Sequence, residues 1–236
     1  MGLALSSIAG SASAESLLKE RRFQLTLAPV FATLGGEFDG QHYDDNGKAV
    51  ALLPEVSPGG GFMVALSVLW GGGKLDGESG FAFGGEVAYT QTFHGSRSDA
   101  TVGESGERRG LALMVSGEPG NAVMRELGTR LRVGYAPAPG WLIHVSGGFG
   151  LSYITGERWG LRRLEGDSYI TGDSTTFGGG AFTVSFGATY HFARHFAVNG
   201  AFGFREIVFY GFEGRSSSST PEASGIMAWL GPSWVF

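Results

Sequence analysis

The stretch GAFTVSFGATYHF, residues 180–192, divides into two sets. Phe182, Val184, Phe186, Ala188, Tyr190 and Phe192 fall on one side of an extended chain; Thr183, Ser185, Gly187, Thr189 and His191 fall on the other. Side chains alternate with period two on a strand and recur every 3.6 residues on a helix. The stretch therefore predicts a strand with one large apolar face and one small or polar face. WLIHVSGGFGLSY, residues 141–153, repeats the pattern, with Trp141, Ile143, Val145, Phe149, Leu151 and Tyr153 against His144, Ser146, Gly148, Gly150 and Ser152. The same division runs through Phe23–Thr33, Phe62–Trp70, Phe81–Phe93, Leu127–Tyr135, Phe196–Phe204 and the C-terminal SGIMAWLGPSWVF, residues 224–236.

The connections order these eight strands. Short turns are predicted at 136–140 and 192–196, with a longer one at 71–79; long polar connections fall at 37–60, 95–126, 155–178 and 213–223. Long and short alternate, which gives an up-and-down sheet with every short turn at one end and every long loop at the other. A further strand-like stretch at Gly110–Val115 breaks that parity. It is placed in the second long loop, as an extension of the third strand. A ten-stranded barrel is the alternative, and needs one strand more than the sequence supplies.

Which face meets water follows from the small face. In a closed soluble barrel the apolar face points inward and the outside is charged; in a membrane barrel the apolar face meets lipid and the interior is polar. Here the second face is Gly, Ala, Ser and Thr, punctuated by Glu86, Arg130, Arg132, His144, His191, Asn199 and Arg205. Small side chains suit the narrow interior of eight strands. The chain holds 42 glycines and eighteen phenylalanines among 236 residues, and its only lysines are Lys19, Lys48 and Lys74. A water-facing exterior would carry more lysine. Strands of about 9–11 residues cross a bilayer, and a closed barrel pairs every backbone group internally. The fold class predicted is all-β, an eight-stranded antiparallel transmembrane barrel.

Other classes drop out. No run of about 18 apolar residues encodes a membrane helix. A net charge of −5 gives no nucleic-acid footprint. The absence of cysteine excludes disulfides and thiolate metal sites. Residues 1–14, with Ala12-Ser13-Ala14 resembling a signal-peptidase site, read as a signal-peptide remnant or as a flexible tail. Residues 15–236 read as a single barrel domain.

The last residues carry a resemblance. Ile226, Ala228, Leu230, Trp234 and Phe236 alternate onto the apolar face, and a terminal aromatic closing an amphipathic strand resembles the C-terminal signature of bacterial outer-membrane barrels. Over roughly residues 22–236 the architecture resembles the small OmpA/OmpX/OmpW-like barrels. The resemblance implies the outer membrane of a Gram-negative cell, with short turns toward the periplasm and long loops outside. It also implies an assembly machinery that reads Leu230, Trp234 and Phe236. The aromatics Trp70, Tyr135, Trp141, Tyr190, Phe192 and Phe196 fit a girdle at the short-turn boundary, and Tyr153, Tyr210 and Phe212 fit the opposite one. Pro232 and Pro29 lack the ladder donor, so a bulge or early fraying is expected at Pro232.

Candidate chemistry divides into interior and loops. Glu86, Arg130, Arg132 and Arg205 are expected to form an ion-pair network inside the lumen, because unpaired burial of charge is too costly. That network is either a plug or the gate of a narrow, anion-preferring, porin-like channel. His144-Val-Ser146 resembles the His-x-Ser pair of barrel lipases and lipid A deacylases, with Glu157 as orienting acid, but alternation turns both side chains away from lipid. The expectation is no enzyme, no catalytic residue and no cofactor. His191 and His195 have helical metal spacing across a strand end, so no metal is expected. Tyr43-Asp-Asp-Asn-Gly47 reads as a turn, and Gly71-Gly-Gly-Lys74 lacks the spacing of a phosphate loop. Arg158, Trp159, Arg162 and Arg163 form a cationic loop cluster suited to lipopolysaccharide phosphates or a partner protein. Three functions follow, in order: a structural or interaction subunit of the cell envelope with partner-binding loops, a narrow channel for small or hydrophobic solutes, and a lipid A-modifying hydrolase.

Overall fold

The computed structural model describes residues 21–36, 41–43, 49–52, 55–71, 80–97, 113–117, 120–156, 159–165, 168–172, 175–210 and 222–236. Eight long strands form the wall: β1 (Arg22–Ala32), β2 (Gly59–Gly71), β3 (Gly80–Arg97), β4 (Gly120–Ala136), β5 (Trp141–Gly156), β6 (Thr175–Ala193), β7 (Phe196–Tyr210) and β8 (Glu222–Val235). Each pairs antiparallel with the next, and β1 pairs with β8 to close the ring. Residues 1–20, which include the proposed signal remnant, lie outside the described residues.

The register sets the shape. The row of partners that leaves β1 at Arg22 passes through Leu69, Gly84, Arg132, Ser146, Ser185, Gly203 and Met227 and returns to β1 at Ala32, 10 residues further on. With eight strands this stagger tilts the strands by about 40° to the barrel axis. The resulting tube has room for few long side chains, which is why the inner face is small.

The outer face is as the alternation predicts. Phe81, Leu131, Phe149, Leu230 and Phe236 are each more than 60% exposed. Among the described barrel residues, no charged side chain interrupts this face until Arg125, Glu206 and Glu222 near the long-loop end. Such a belt has hydrocarbon as its natural solvent, and the barrel is of the transmembrane kind. Rings pair along the short-turn boundary: Trp70 stacks on Phe83 at 5.5 Å, Trp141 packs tilted against Tyr190 at 4.6 Å, and Phe196 meets Trp234 edge-on at 6.4 Å. At the opposite boundary Tyr153 faces outward; Phe212 and the side chain of Tyr210 lie outside the described residues.

The turns use glycine where the chain must reverse. Gly140 closes the β4–β5 turn with φ 79°, and Gly71 ends β2 with φ 91°, a region that other residues enter at a cost. The β6–β7 turn instead carries a register shift between His191 and Ala193.

Three expectations need correction. Leu113–Gly117 does not extend β3. It belongs to a second, five-stranded sheet outside the barrel, in the order Ser168–Gly172, Trp159–Glu165, Leu113–Gly117, Ala49–Leu52, Gln41–Tyr43. Pro232 causes neither bulge nor fraying: it faces Val198 in unbroken register with β7, and β8 runs on to Val235. The interruption lies on its other side. Phe23 and Thr33 bond across to β8 at Phe236 and Ile226, so alternate residues counted from them, Pro29 and Pro232 included, turn their backbone into the β1–β8 seam. Neither proline has an N–H to give. Pairing accordingly lapses between Thr26 and Val30 and resumes in the same register. Finally, β4 begins at Gly120 rather than Leu127, which brings Glu126 into the wall.

The interior is also less polar than expected. Near the long-loop end Leu34, Val56, Met124, Ile154, Ile207 and Phe209 pack together inside. At mid-height Val30, Met63, Met227 and Trp229 form a second apolar cluster, and Leu69 with Leu142 a third nearer the turns. These clusters share the interior with the charges and with buried polar residues such as Gln24, Thr26, Thr189 and Asn199.

Candidate functional site

The interior charges are positioned by register. Glu86 on β3 stands directly opposite Arg130 on β4, and Gly84 opposite Arg132. On the far side of β4, Arg130 faces Gly148 of β5. Gly84 and Gly148 point inward, and a Cβ there would lie 2.0 Å from the Val68 carbonyl and 1.9 Å from the Thr129 carbonyl. Glycine at both sites lets the strands close around the guanidinium groups.

The charges form one continuous chain. Arg132 donates from Nη2 to Glu86 Oε2, and Arg130 donates from Nη1 to Glu86 Oε1 at 3.4 Å. Arg130 Nη2 lies 3.6 Å from Glu126 Oε1, and Arg205 Nη1 lies 3.7 Å from Glu126 Oε2. Arg205 also donates to the Thr33 carbonyl at 3.4 Å, and the Thr183 hydroxyl donates to Glu126 at 3.4 Å. The Arg130 guanidinium sits 5.4 Å from the centre of the Trp229 ring, a cation–π contact. All five charged side chains are essentially without solvent access. Glu86, Arg130, Arg132 and Arg205 therefore lie together in the interior, and the structure adds Glu126, which joins the Glu86 pair to Arg205.

His144 and Ser146 both face the lumen on β5 but do not engage each other. His144 Nε2 donates to Asn199 Oδ1 at 3.4 Å, and the Ser146 hydroxyl shares a hydrogen bond with Ser185 at 2.7 Å. A serine nucleophile needs a base within reach of its own oxygen; here that place is taken by another serine. Glu157 lies outside the described residues. His191 and His195 diverge, donating to the carbonyls of Gly140 and Val235 respectively.

Trp159, Arg162 and Arg163 lie on the Trp159–Glu165 strand of the outer sheet, where Trp159 pairs with Gly117, Arg162 with Met114 and Thr171, and Arg163 with Ile170. Arg158 lies outside the described residues. Leu230 and Phe236 project from the outer face, and Trp234 is half-buried on it.

Comparison with known proteins adds to this in one respect. No family model matches the chain, and no curated protein matches it. Among solved structures, Ail, the attachment invasion locus protein of Yersinia pestis, superposes with a TM-score of 0.45 at 10% identity, covering 92% of this chain and 99% of that one. Neisserial surface protein A gives 0.42 at 9% identity, covering 90% and 96%. A major outer membrane protein from Thermus thermophilus gives 0.42 at 12% identity, covering 92% and 99%. This chain is similar to these in fold alone.

Proposed function

We propose that this chain is a bacterial outer-membrane barrel that serves the envelope as a structural and interaction subunit, with its long loops as the binding surface. One observation carries the reading. Strands from three separate long connections, Gln41–Tyr43 with Ala49–Leu52, Leu113–Gly117, and Trp159–Glu165 with Ser168–Gly172, hydrogen-bond into one sheet beyond the barrel. Loops joined in this way hold a surface in a fixed geometry, which is what recognition requires. The interior supports the same reading, since buried ion pairs and apolar clusters lie inside the tube at several heights. The cationic residues of the Trp159–Gly172 hairpin suit a phosphorylated glycolipid such as lipopolysaccharide or an acidic protein face.

The test replaces residues 159–172 by a short Gly-Ser turn. The variant should insert and close as the parent does, and should lose a photo-crosslinked product formed in cells from a probe at Val115. A parent chain that gives no crosslink and leaves the membrane only as a monomer overturns the reading. Stable single-channel steps from the parent in a planar bilayer would favour a conducting barrel instead.

A further inference from the structure

The apolar belt is not smooth. On the side built from β1 to β5 a groove of about 500 Å3 opens outward. Phe23, Leu66, Val87, Leu131 and Phe149 wall it. Its floor is made by what is missing, because the outward positions Gly85 and Gly147 carry no side chain and Thr129 carries a short one.

Backbone packing does not require those two glycines. A Cβ at Gly85 would come no closer than 3.9 Å to any neighbour, and one at Gly147 no closer than 3.7 Å. Neither has a positive φ. Their inward neighbours Gly84 and Gly148 are the opposite case, with backbone oxygens at 2.0 and 1.9 Å. A side chain would fit at Gly85 and Gly147, as side chains fit along most of the belt, and the trough exists only because none is there.

Its course is set by the register. Phe23, Val68, Gly85, Leu131 and Gly147 are successive partners across the five strands. In a barrel of this tilt such a row climbs away from the short-turn end, by about 15 Å between Phe23 and Phe149, or roughly half the hydrocarbon thickness. At its foot the exposed Arg21 holds its guanidinium 5.8 Å from the centre of the Phe23 ring. Within the trough the Thr129 hydroxyl is turned to the Phe149 carbonyl at 3.5 Å, so the lining offers hydrocarbon. A cation at the membrane boundary and an apolar channel rising from it to mid-membrane match the two ends of a lipid.

We propose that this trough holds one acyl chain of a glycerophospholipid from the leaflet at the short-turn end, with the phosphate of that lipid on Arg21. The inference rests on the barrel spanning a membrane. Arg21 fixes the head by charge, and the side-chain gap at Gly85 and Gly147 admits the chain by shape.

The test inserts the full chain into phosphatidylglycerol–phosphatidylethanolamine vesicles, extracts it in mild detergent and strips lipid stepwise before native mass spectrometry. The parent should keep one phospholipid after the bulk lipid has gone. Gly85→Leu and Gly147→Leu should lose it, while Val133→Leu, which enlarges the same belt outside the trough, should keep it. Arg21→Gln lies outside the wall, leaves folding intact, and should lower the retained fraction roughly fivefold. Equal retention by the parent, the filled variants and Arg21→Gln overturns the proposal. A parent that never inserts overturns the membrane reading as well; a parent that inserts and retains nothing overturns this inference alone.

Discussion

Changing Glu86 to glutamine tests the interior most sharply. The two side chains have the same shape, so no cavity opens and the effect is electrostatic. Glu86 is 1% exposed at its side chain and takes Arg130 on one oxygen and Arg132 on the other. Arg130 keeps Glu126 when that charge is removed. Arg132 keeps no carboxylate partner among the described residues. Two charge-assisted hydrogen bonds are weakened, at about 1.5–3 kcal/mol each, and one guanidinium is left buried without a counter-charge, an arrangement that costs about 3–5 kcal/mol when a buried pair is broken. The two estimates overlap, and the expected loss is about 4 kcal/mol. Urea unfolding of the barrel in vesicles, followed by tryptophan fluorescence, measures it. Glu126→Gln should cost less, because its contacts are longer and Arg205 retains the Thr33 carbonyl. Adding Arg132→Met to Glu86→Gln should recover much of the loss, since the stranded charge goes with it. A loss below about 1 kcal/mol for Glu86→Gln, with no recovery in the double variant, would refute the idea that the charges are held in a water-poor interior.

Two other predictions follow from closure and from the chain end. Gly148→Ala puts a Cβ where the Thr129 carbonyl already lies, so the closed form should be lost or reduced. Migration of unheated samples on a gel, where closed barrels run faster than unfolded chain, reads this directly, and an unchanged closed fraction would contradict the fit. Phe236→Ser removes a residue that is 71% exposed and whose amide bonds to Phe23. Final stability should change by less than about 1 kcal/mol, while assisted insertion slows several-fold, as followed by protease protection over time.

Much of the wall was legible because a membrane barrel has two faces of opposite character, so period two shows even without a long apolar run. Legibility failed where that contrast failed. Ile207, Val208 and Phe209 are all apolar, and nothing local says that the first and third face inward. Glu126 was hidden differently. It shares the parity of Arg130 and Arg132 and stands four residues before Arg130, but the Gly- and Pro-containing segment before it reads as loop. Extending the alternation backwards from Arg130 would have found it. Of the outer sheet only one strand showed locally, in the stretch Gly110–Val115, and its pairing could not be read. The sheet's central contact, Ala51 with Leu113 and Leu52 with Met114 in parallel, joins loops more than 60 residues apart. The trough depends on Gly85 and Gly147 aligning through Leu131, a relation that the linear chain does not display.

The prolines of the closing seam bear on how the ring comes apart. Seven of the eight strand contacts join consecutive strands and are tethered by the connecting chain. The β1–β8 contact joins the two ends of the wall, has no such tether, and lacks two amide donors at Pro29 and Pro232. Under strain or heat the cylinder should therefore unfasten here first, peeling into a flat ribbon from the one edge pair that nothing covalent holds.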